Sequence, residues 1–211
     1  MVPGTQHIFA RLIKRLCGAL VVVLVASGSA GADDGARAVI EDLNAALLAS
    51  MRNADELGYG GRYRRLEPVL RQSFDFDSMT RIAVGRAWAE FSPSERQRII
   101  DLFAEMSIAN YAARFDGYTG ERFEIGAETP GPRDAVIVES RIVRPSEPPV
   151  GLNYVLRQAD DGWRIIDILL DAKYSELARQ HAEFAAVLKG GGPPQLIAML
   201  EDKIRALAGQ T

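Results

Sequence analysis

Apolar residues recur every three or four positions along the first half of the chain, which is the spacing of one helix face. The first such stripe spans residues 36–57 and is interrupted by "GYGG". Two shorter helical stretches follow, "RYRRLEPVLRQSF" and "DSMTRIAVGRAW". In "SPSE" (92–95), a capping box and a first-turn proline predict the start of a longer helix, with Phe103 and Met106 on its apolar face. Residues 36–117 are therefore expected to be mostly helical.

Beyond residue 117 the spacing changes to the alternation typical of strands. Four strands are predicted, at 121–129, 134–144, 150–158 and 163–171. Their short connections, including the turn "ADDG", imply antiparallel neighbours. Helix then returns: Ser175 is a candidate N-cap for "ELARQHAEFAAVLK", and "GGGPP" breaks that helix before "QLIAMLEDKIRALAG". Helices, a four-stranded meander and helices again predict an α+β fold.

The fourth strand is apolar on both faces. By simple alternation, Trp163, Ile165 and Leu169 lie on one face and Ile166, Ile168 and Leu170 on the other. Both faces must then be covered, one by helices and the other by further helices or by a ligand. The periodicity does not decide between an ordinary two-sided core and a ligand-filled hollow.

Residues 1–32 have the features of an export signal. A basic segment ending at Arg15 precedes the apolar run "LCGALVVVLVA", and Ala30 and Ala32 form a site for cleavage before Asp33. The apolar run has about 11 residues, whereas a membrane-spanning helix needs roughly 20. Cleavage leaves residues 33–211 as a single exported domain, and an uncleaved N-terminal anchor is the alternative. Cys17 lies in the removed segment.

The composition of residues 33–211 excludes several kinds of chemistry. This part lacks cysteine, so it cannot form disulfides, zinc–thiolate sites or a thiol nucleophile. It carries all 28 acidic residues and 22 of the 25 basic ones, a formal net charge of −6, which argues against nucleic acid as a partner. No cofactor motif is present: "LKGGGPPQ" lacks the Lys-Ser/Thr of a Walker loop, and the acidic pairs lack the spacing of a calcium loop.

The segment "ILLDAKYSELARQHAEF" (168–184) contains Asp171, Ser175 and His181, the residue types of a hydrolase triad. On a helix, positions six apart differ by about 600° of rotation, so Ser175 and His181 point roughly 120° away from each other. The chain also lacks the G-x-S-x-G elbow of α/β-hydrolases. We therefore interpret Ser175 as a helix cap and predict no metal site and no catalytic residues.

Three stretches in succession resemble the MlaC family of periplasmic lipid-binding proteins, also called toluene-tolerance proteins. They are "FDFDSMTRIAVGRAWAEFSPSERQRIIDLFAEMSIANYAARF", "DDGWRIIDILLD" and "SELARQHAEFAAVLKGGGPPQLIAMLEDKI". The string "YSELA" is more similar to the HpnM branch, which is associated with hopanoid biosynthesis. Compared with the proteins that it resembles, this chain has Lys173 in place of the usual glycine and His181 where arginine is common.

The resemblance implies an NTF2-like twisted sheet wrapped by helices around an apolar pocket. The implied pocket residues are Met79, Ile82, Trp88, Phe103, Met106, Val138, Tyr154, Leu156, Trp163, Ile165, Ile168, Phe184 and Leu188. The family's ligands are phospholipids, or hopanoid-type lipids in the HpnM branch. Its partners are an inner-membrane lipid transporter complex of the ABC type and an outer-membrane protein, with the carrier itself a monomer.

Two other functions remain open at this level. An enzyme of lipid or hopanoid metabolism on the same scaffold would need a polar residue inside the hollow, and Asp167 is the first candidate, with His181 second. A structural adaptor would neither bind nor turn over lipid.

Overall fold

A computed structural model describes residues 34–209, so the predicted export signal lies outside the described residues. The helices in this range are α1 (Asp34–Arg52), α2 (Ala54–Ser73), α3 (Phe76–Val84), α4 (Pro93–Arg114) and α5 (Glu176–Ala208). A 3₁₀ helix, Gly85–Glu90, joins α3 to α4. No helix among residues 34–209 is long and apolar enough to cross a bilayer.

The end of the first helix differs from the prediction. The chain leaves α1 at Asn53, whose side-chain amide donates a hydrogen bond of 2.7 Å to the carbonyl of Ala49. Asparagine side chains compete with the helical backbone for such carbonyls, which favours a helix end. "GYGG" instead interrupts α2, where Gly58 has φ 56° and ψ −178°. Glycine occupies such a conformation without the steric cost that a Cβ imposes.

The predicted caps are confirmed. The Ser92 hydroxyl accepts from the amide of Glu95 at 3.3 Å, and the Glu95 carboxylate accepts from the amide of Ser92 at 2.8 Å. The Ser175 hydroxyl accepts from the amide of Ala178 at 2.9 Å. Within α5, non-helical backbone at Gly191 and Gly192 separates two helical halves, as "GGGPP" predicted.

The strands form one antiparallel sheet in sequence order. They are β1 (Arg122–Pro130), β2 (Val136–Val143), β3 (Val150–Ala159), β4 (Gly162–Leu170) and β5 (Tyr174–Ser175). The first four match the predicted meander. Sequence reasoning missed β5, because two residues are too few to show alternation.

A tight turn joins β4 to β5. The amide of Lys173 donates to the carbonyl of Leu170 at 3.0 Å, and both central residues have positive φ, 49° at Asp171 and 56° at Ala172. Asp171 is held by Gly151, whose amide donates to its carboxylate at 3.0 Å. Ala172 has a Cβ in the left-handed region, where a side chain costs about 1–2 kcal/mol.

Replacing Ala172 with glycine is therefore expected to stabilise the protein. Relief of the left-handed strain outweighs the extra backbone entropy that glycine loses on folding, for a net gain of about 0.5–1 kcal/mol. Chemical denaturation measures the change in the free energy of unfolding. The control is Ala182→Gly, an exposed alanine inside α5, which should lower stability by about 1 kcal/mol. A loss of stability in both variants would contradict the strain at Ala172.

A bulge decides which side chains of β4 share a face. Val155 pairs with Asp167, but the next residue, Leu156, pairs with Ile165, so Ile166 is an extra residue. Ile168 therefore joins Trp163 and Ile165 on the helix-covered face, whereas Leu169 packs with Ile166 in a small cluster that also contains Ala135 and Val155. The simple alternation predicted for this strand is correct up to Ile166 and wrong beyond it.

The helices pack on the inner face of the sheet and side chains fill the space between them. At its centre, Phe103 makes edge contacts with Phe76 and Phe184, with ring centroids 6.2 and 6.0 Å apart. Phe74 stacks on Phe76 at 5.5 Å. Tyr154 and Phe103 are fully buried. The α+β class and the antiparallel meander are confirmed, and most of the predicted hollow is filled by side chains.

Candidate functional site

An apolar cleft lies between α4, the end of β4 and the start of α5. Its larger lobe has a volume of about 140 Å³ and is lined by Asn110, Tyr111, Arg114, Phe115, Leu152, Ile168, Leu170 and Glu176. Its smaller lobe, of about 60 Å³, is lined by Leu70, Phe74, Phe76, Met79, Ser107, Asn110, Tyr111, Asp167, Ile168, Glu176 and Gln180. The two lobes adjoin, because Asn110, Tyr111, Ile168 and Glu176 line both.

Local geometry explains the walls of this cleft. Ser107, Tyr111 and Arg114 follow one another at helical spacing, so they share one face of α4. Across the cleft, the β4 bulge turns Ile168 to the same face as Ile165. Glu176 and Gln180 are four positions apart on α5 and face the same side.

Besides Tyr111, the polar side chains of the cleft lining are Ser107, Asn110, Arg114, Asp167, Glu176 and Gln180. Arg114 is exposed in the last turn of α4, where a cation is favoured by the helix dipole. Glu176 accepts from Arg179 at 3.1 Å within α5. A cleft of this kind combines apolar walls for a hydrocarbon with a cationic group at its edge.

Two tyrosines lie deeper. Tyr154 is fully buried, and burial raises the pKa of its hydroxyl while the neighbouring Tyr111 hydroxyl partly offsets this. Burial likewise raises the pKa of Tyr111 well above its usual value, with Tyr154 and Glu176 adding to the effect. The Tyr154 hydroxyl lies beside that of Tyr111 without reaching the geometry of a full hydrogen bond. Both groups are protonated at neutral pH and are available as donors.

Asp167, the residue considered for acid–base chemistry, holds the start of α5 in place. Its carboxylate accepts from the amide of Ile168 at 2.7 Å, the amide of Leu177 at 3.0 Å and the hydroxyl of Ser175 at 2.5 Å. The amide of Leu177 is one of the free N–H groups in the first turn of α5, and the Asp167 carboxylate gives it the acceptor that it needs.

The residues of the apparent triad do not come together. Ser175 bonds Asp167 and Ala178, whereas Nδ1 of His181 lies 3.0 Å from the carbonyl of Ala83 and therefore donates to it. The imidazole packs over Gly85, so it links α5 to the end of α3. Within residues 34–209, no group of three or more His, Cys, Asp or Glu side chains is placed to hold a metal ion.

The predicted pocket residues fall into three groups, with Ile82 outside all of them. Met79 and Ile168 line the cleft. Phe103, Met106, Val138, Tyr154, Leu156, Ile165 and Phe184 are buried in the core. Trp88, Trp163 and Leu188 are partly buried at its edge. Ile82 is 45% exposed on α3 and does not line the cleft.

Sequence reasoning missed several cleft residues. Leu152 and Leu170 pair across β3 and β4, but their positions depend on the register and the bulge. Tyr111 and Arg114 extend the face of α4 that begins at Ser107, and this spacing was visible in the sequence. Because these α4 residues are polar, they were not assigned to the pocket on the basis of the neighbouring apolar stripe.

Comparison with known proteins places this geometry in context. A solved structure titled as the phospholipid-binding protein from Ralstonia solanacearum, in complex with a phospholipid, superimposes with a TM-score of 0.72. It is 24% identical, and the match covers 82% of this chain and 99% of that one, so it shows the same fold. No curated protein sequence matches the chain significantly. The sequence profile described as "MlaC protein" matches residues 41–202, well over half of the chain, which therefore belongs to the MlaC family.

Proposed function

We propose that the protein is a periplasmic carrier that binds a lipid by its acyl chains in the cleft between α4, β4 and α5. The two-lobed apolar cleft with an arginine at its edge is the observation that carries this proposal. The family supports it, since MlaC proteins are periplasmic, and so does the similar fold of a protein solved with phospholipid. The export signal predicted for residues 1–32 agrees with this location.

The cleft must widen to accept its ligand. Sites for drug-sized ligands have volumes of about 300–1,000 Å³. The lobes of about 140 and 60 Å³ are smaller than that. We infer that α4 and the start of α5 separate from β4 when lipid enters.

The energetics of transfer imply protein partners. Taking two long acyl chains out of water gains about 20 kcal/mol, at roughly 0.8 kcal/mol for each CH₂. Chains that start in a bilayer are already buried, so the net gain from extraction is close to zero. The carrier therefore exchanges lipid with proteins that offer an apolar path, and we propose an inner-membrane transporter complex and an outer-membrane protein in these roles.

The ligand is either a phospholipid or a hopanoid-type lipid. The "YSELARQH" segment, which resembles the HpnM branch, forms β5 and the start of α5 and contributes Glu176 and Gln180 to the cleft. Differences in this segment thus change the cleft wall directly. A diacyl phospholipid is the first ligand we propose, because the exposed Arg114 suits a phosphate.

Native mass spectrometry and organic extraction of the mature protein, purified from a periplasm, test the carrier function. The expected result is one co-purifying lipid per protein, which the extract identifies as a phospholipid or a hopanoid. A folded protein that is empty and acquires no lipid from vesicles or from a donor protein would support a structural adaptor instead. Turnover of a lipid that Asp167→Asn abolishes, with binding retained, would support an enzyme.

Replacing Arg114 with glutamine is expected to weaken phospholipid binding about two- to fivefold, because one exposed contact between a guanidinium and a phosphate contributes up to about 1 kcal/mol. The loss should shrink at high salt, which screens the contact. Competition against a fluorescent phosphatidylglycerol measures the change. Arg65→Gln is the charge-matched control, since Arg65 is exposed on α2 and does not line the cleft. Equal losses in both variants would point to net charge rather than to Arg114.

A further inference from the structure

Two buried polar atoms near the cleft have no hydrogen-bond partner. Among the residues described, they are the hydroxyl of Tyr154 and Oε1 of Gln180, and four further buried atoms without a partner belong to residues that do not line the cleft, Asn44, Ser50, Arg144 and Arg157. The side chains of Tyr154 and Gln180 are 0% and 6% exposed. A buried polar atom without a partner destabilises a fold, so such atoms are rare and often mark a place that another group occupies.

Both groups lie near the cleft. Gln180 lines the smaller lobe. The Tyr154 hydroxyl lies next to that of Tyr111, which lines both lobes. Tyr154 also pairs across the strands with Ile168, another residue of both lobes. Tyr111 and Ile168 therefore place the Tyr154 hydroxyl near the junction of the lobes, and Gln180 lies in the adjoining wall of the smaller lobe.

The chemistry of this junction selects a neutral acceptor. Both tyrosine hydroxyls are protonated at neutral pH, as tyrosine ordinarily is, so both can donate. Rotation of the Gln180 side-chain amide presents its NH₂ as a further donor. A phosphate or free carboxylate is disfavoured here by the low polarity of the surroundings and by the charge of Glu176. The carbonyl oxygen of an ester is uncharged and accepts hydrogen bonds, so it suits these donors. An ester-linked acyl lipid carries such carbonyls where its chains begin.

We propose that Tyr154, Tyr111 and Gln180 anchor the ester carbonyls of a bound acyl lipid. This rests on the proposed carrier function and adds a selectivity to it: the protein distinguishes ester-linked from ether-linked lipids. The anchor fixes the depth of the lipid, with the chains in the apolar space and the head group near Arg114 at the rim.

The test compares two phosphatidylglycerols with chains of the same length, one with ester and one with ether linkages. In competition against a fluorescent lipid, the wild type should prefer the diester about three- to tenfold, the range that one or two hydrogen bonds provide. In Tyr154→Phe this preference should disappear while the affinity for the diether is unchanged. Its unfolding temperature should be unchanged or higher, because an unpartnered hydroxyl has been removed.

The control is Tyr63→Phe, which alters a half-buried tyrosine of α2 outside the cleft wall and should keep the ester preference. Equal binding of both lipids by the wild type would overturn the anchor and leave the carrier function intact. Loss of both lipids in Tyr154→Phe would show a structural role and also overturn it. If neither lipid binds the wild type, the carrier function itself fails. Should Tyr154→Phe not fold, loss of the preference in Tyr111→Phe or Gln180→Met supports the anchor, and its retention in both overturns it.

Discussion

Ile168→Asp is expected to lower the affinity for lipid at least about 100-fold, which corresponds to roughly 2.7 kcal/mol. Ile168 lines both lobes of the cleft, so a carboxylate at this position would face the acyl chains in the loaded protein. Burying an unpaired carboxylate against hydrocarbon costs several kcal/mol. The expected result is a folded protein that purifies without lipid.

The adjacent residue of β4 provides the control. Leu169 is half-buried like Ile168 but belongs to the cluster on the opposite face of the sheet. Leu169→Asp should cost similar stability and retain its lipid. Lipid extraction after purification, together with thermal unfolding of both variants, separates the two effects. Retention of lipid by Ile168→Asp, or its loss from both variants alike, would show that the cleft is not where lipid binds.

Phe103→Ala is expected to reduce the free energy of unfolding by about 3–5 kcal/mol, the usual cost of truncating a buried phenylalanine. Phe103 is fully buried at the centre of the aromatic cluster, and its edge contacts with Phe76 and Phe184 would be lost. Urea denaturation followed by circular dichroism measures the change. A loss below about 1 kcal/mol would mean that neighbouring side chains move into the space left by the Phe103 ring.

Phe103→Ala also tests whether bound lipid extends from the smaller lobe into the core. Phe76, which contacts Phe103, lines the smaller lobe, so removing the Phe103 ring enlarges the space behind that lobe. If this space is continuous with the cleft when lipid is bound, saturating lipid should stabilise Phe103→Ala more than it stabilises the wild type. Phe103→Leu is the matched control, with a cost below about 1.5 kcal/mol. Equal stabilisation by lipid would place Phe103 outside the path.

Features determined by a few neighbouring residues could be predicted. The caps at Ser92 and Ser175 depend on bonds to residues three positions away. The break at Gly191 and Gly192 depends on backbone freedom. The end of α1 at Asn53 was missed, because its bond to Ala49 competes with a helical pattern that continues through it.

The candidate site was only partly predictable. A resemblance carried by three stretches led to the MlaC family and to a lipid-binding role, and it placed Met79 and Ile168 in the wall. It also placed Ile82 there, whereas Ile82 is 45% exposed and is not among the residues that line the cleft. Arg114 and Gln180 line the cleft but were not among the predicted residues. In a sequence, polar side chains at a cleft look like ordinary surface residues.

By itself the sequence determined the α+β class, the order of helices and strands, and the absence of cysteine from residues 33–211, because these depend on composition and on contacts within one or two turns. Only the tertiary structure decided that Ile168 faces the cleft. It also decided that the Tyr154 hydroxyl and Oε1 of Gln180 are buried without a hydrogen-bond partner. The first depends on a bulge in the pairing of β3 with β4. The second depends on whether elements distant in the chain bring a donor or an acceptor to each polar atom, and local spacing contains no information about that.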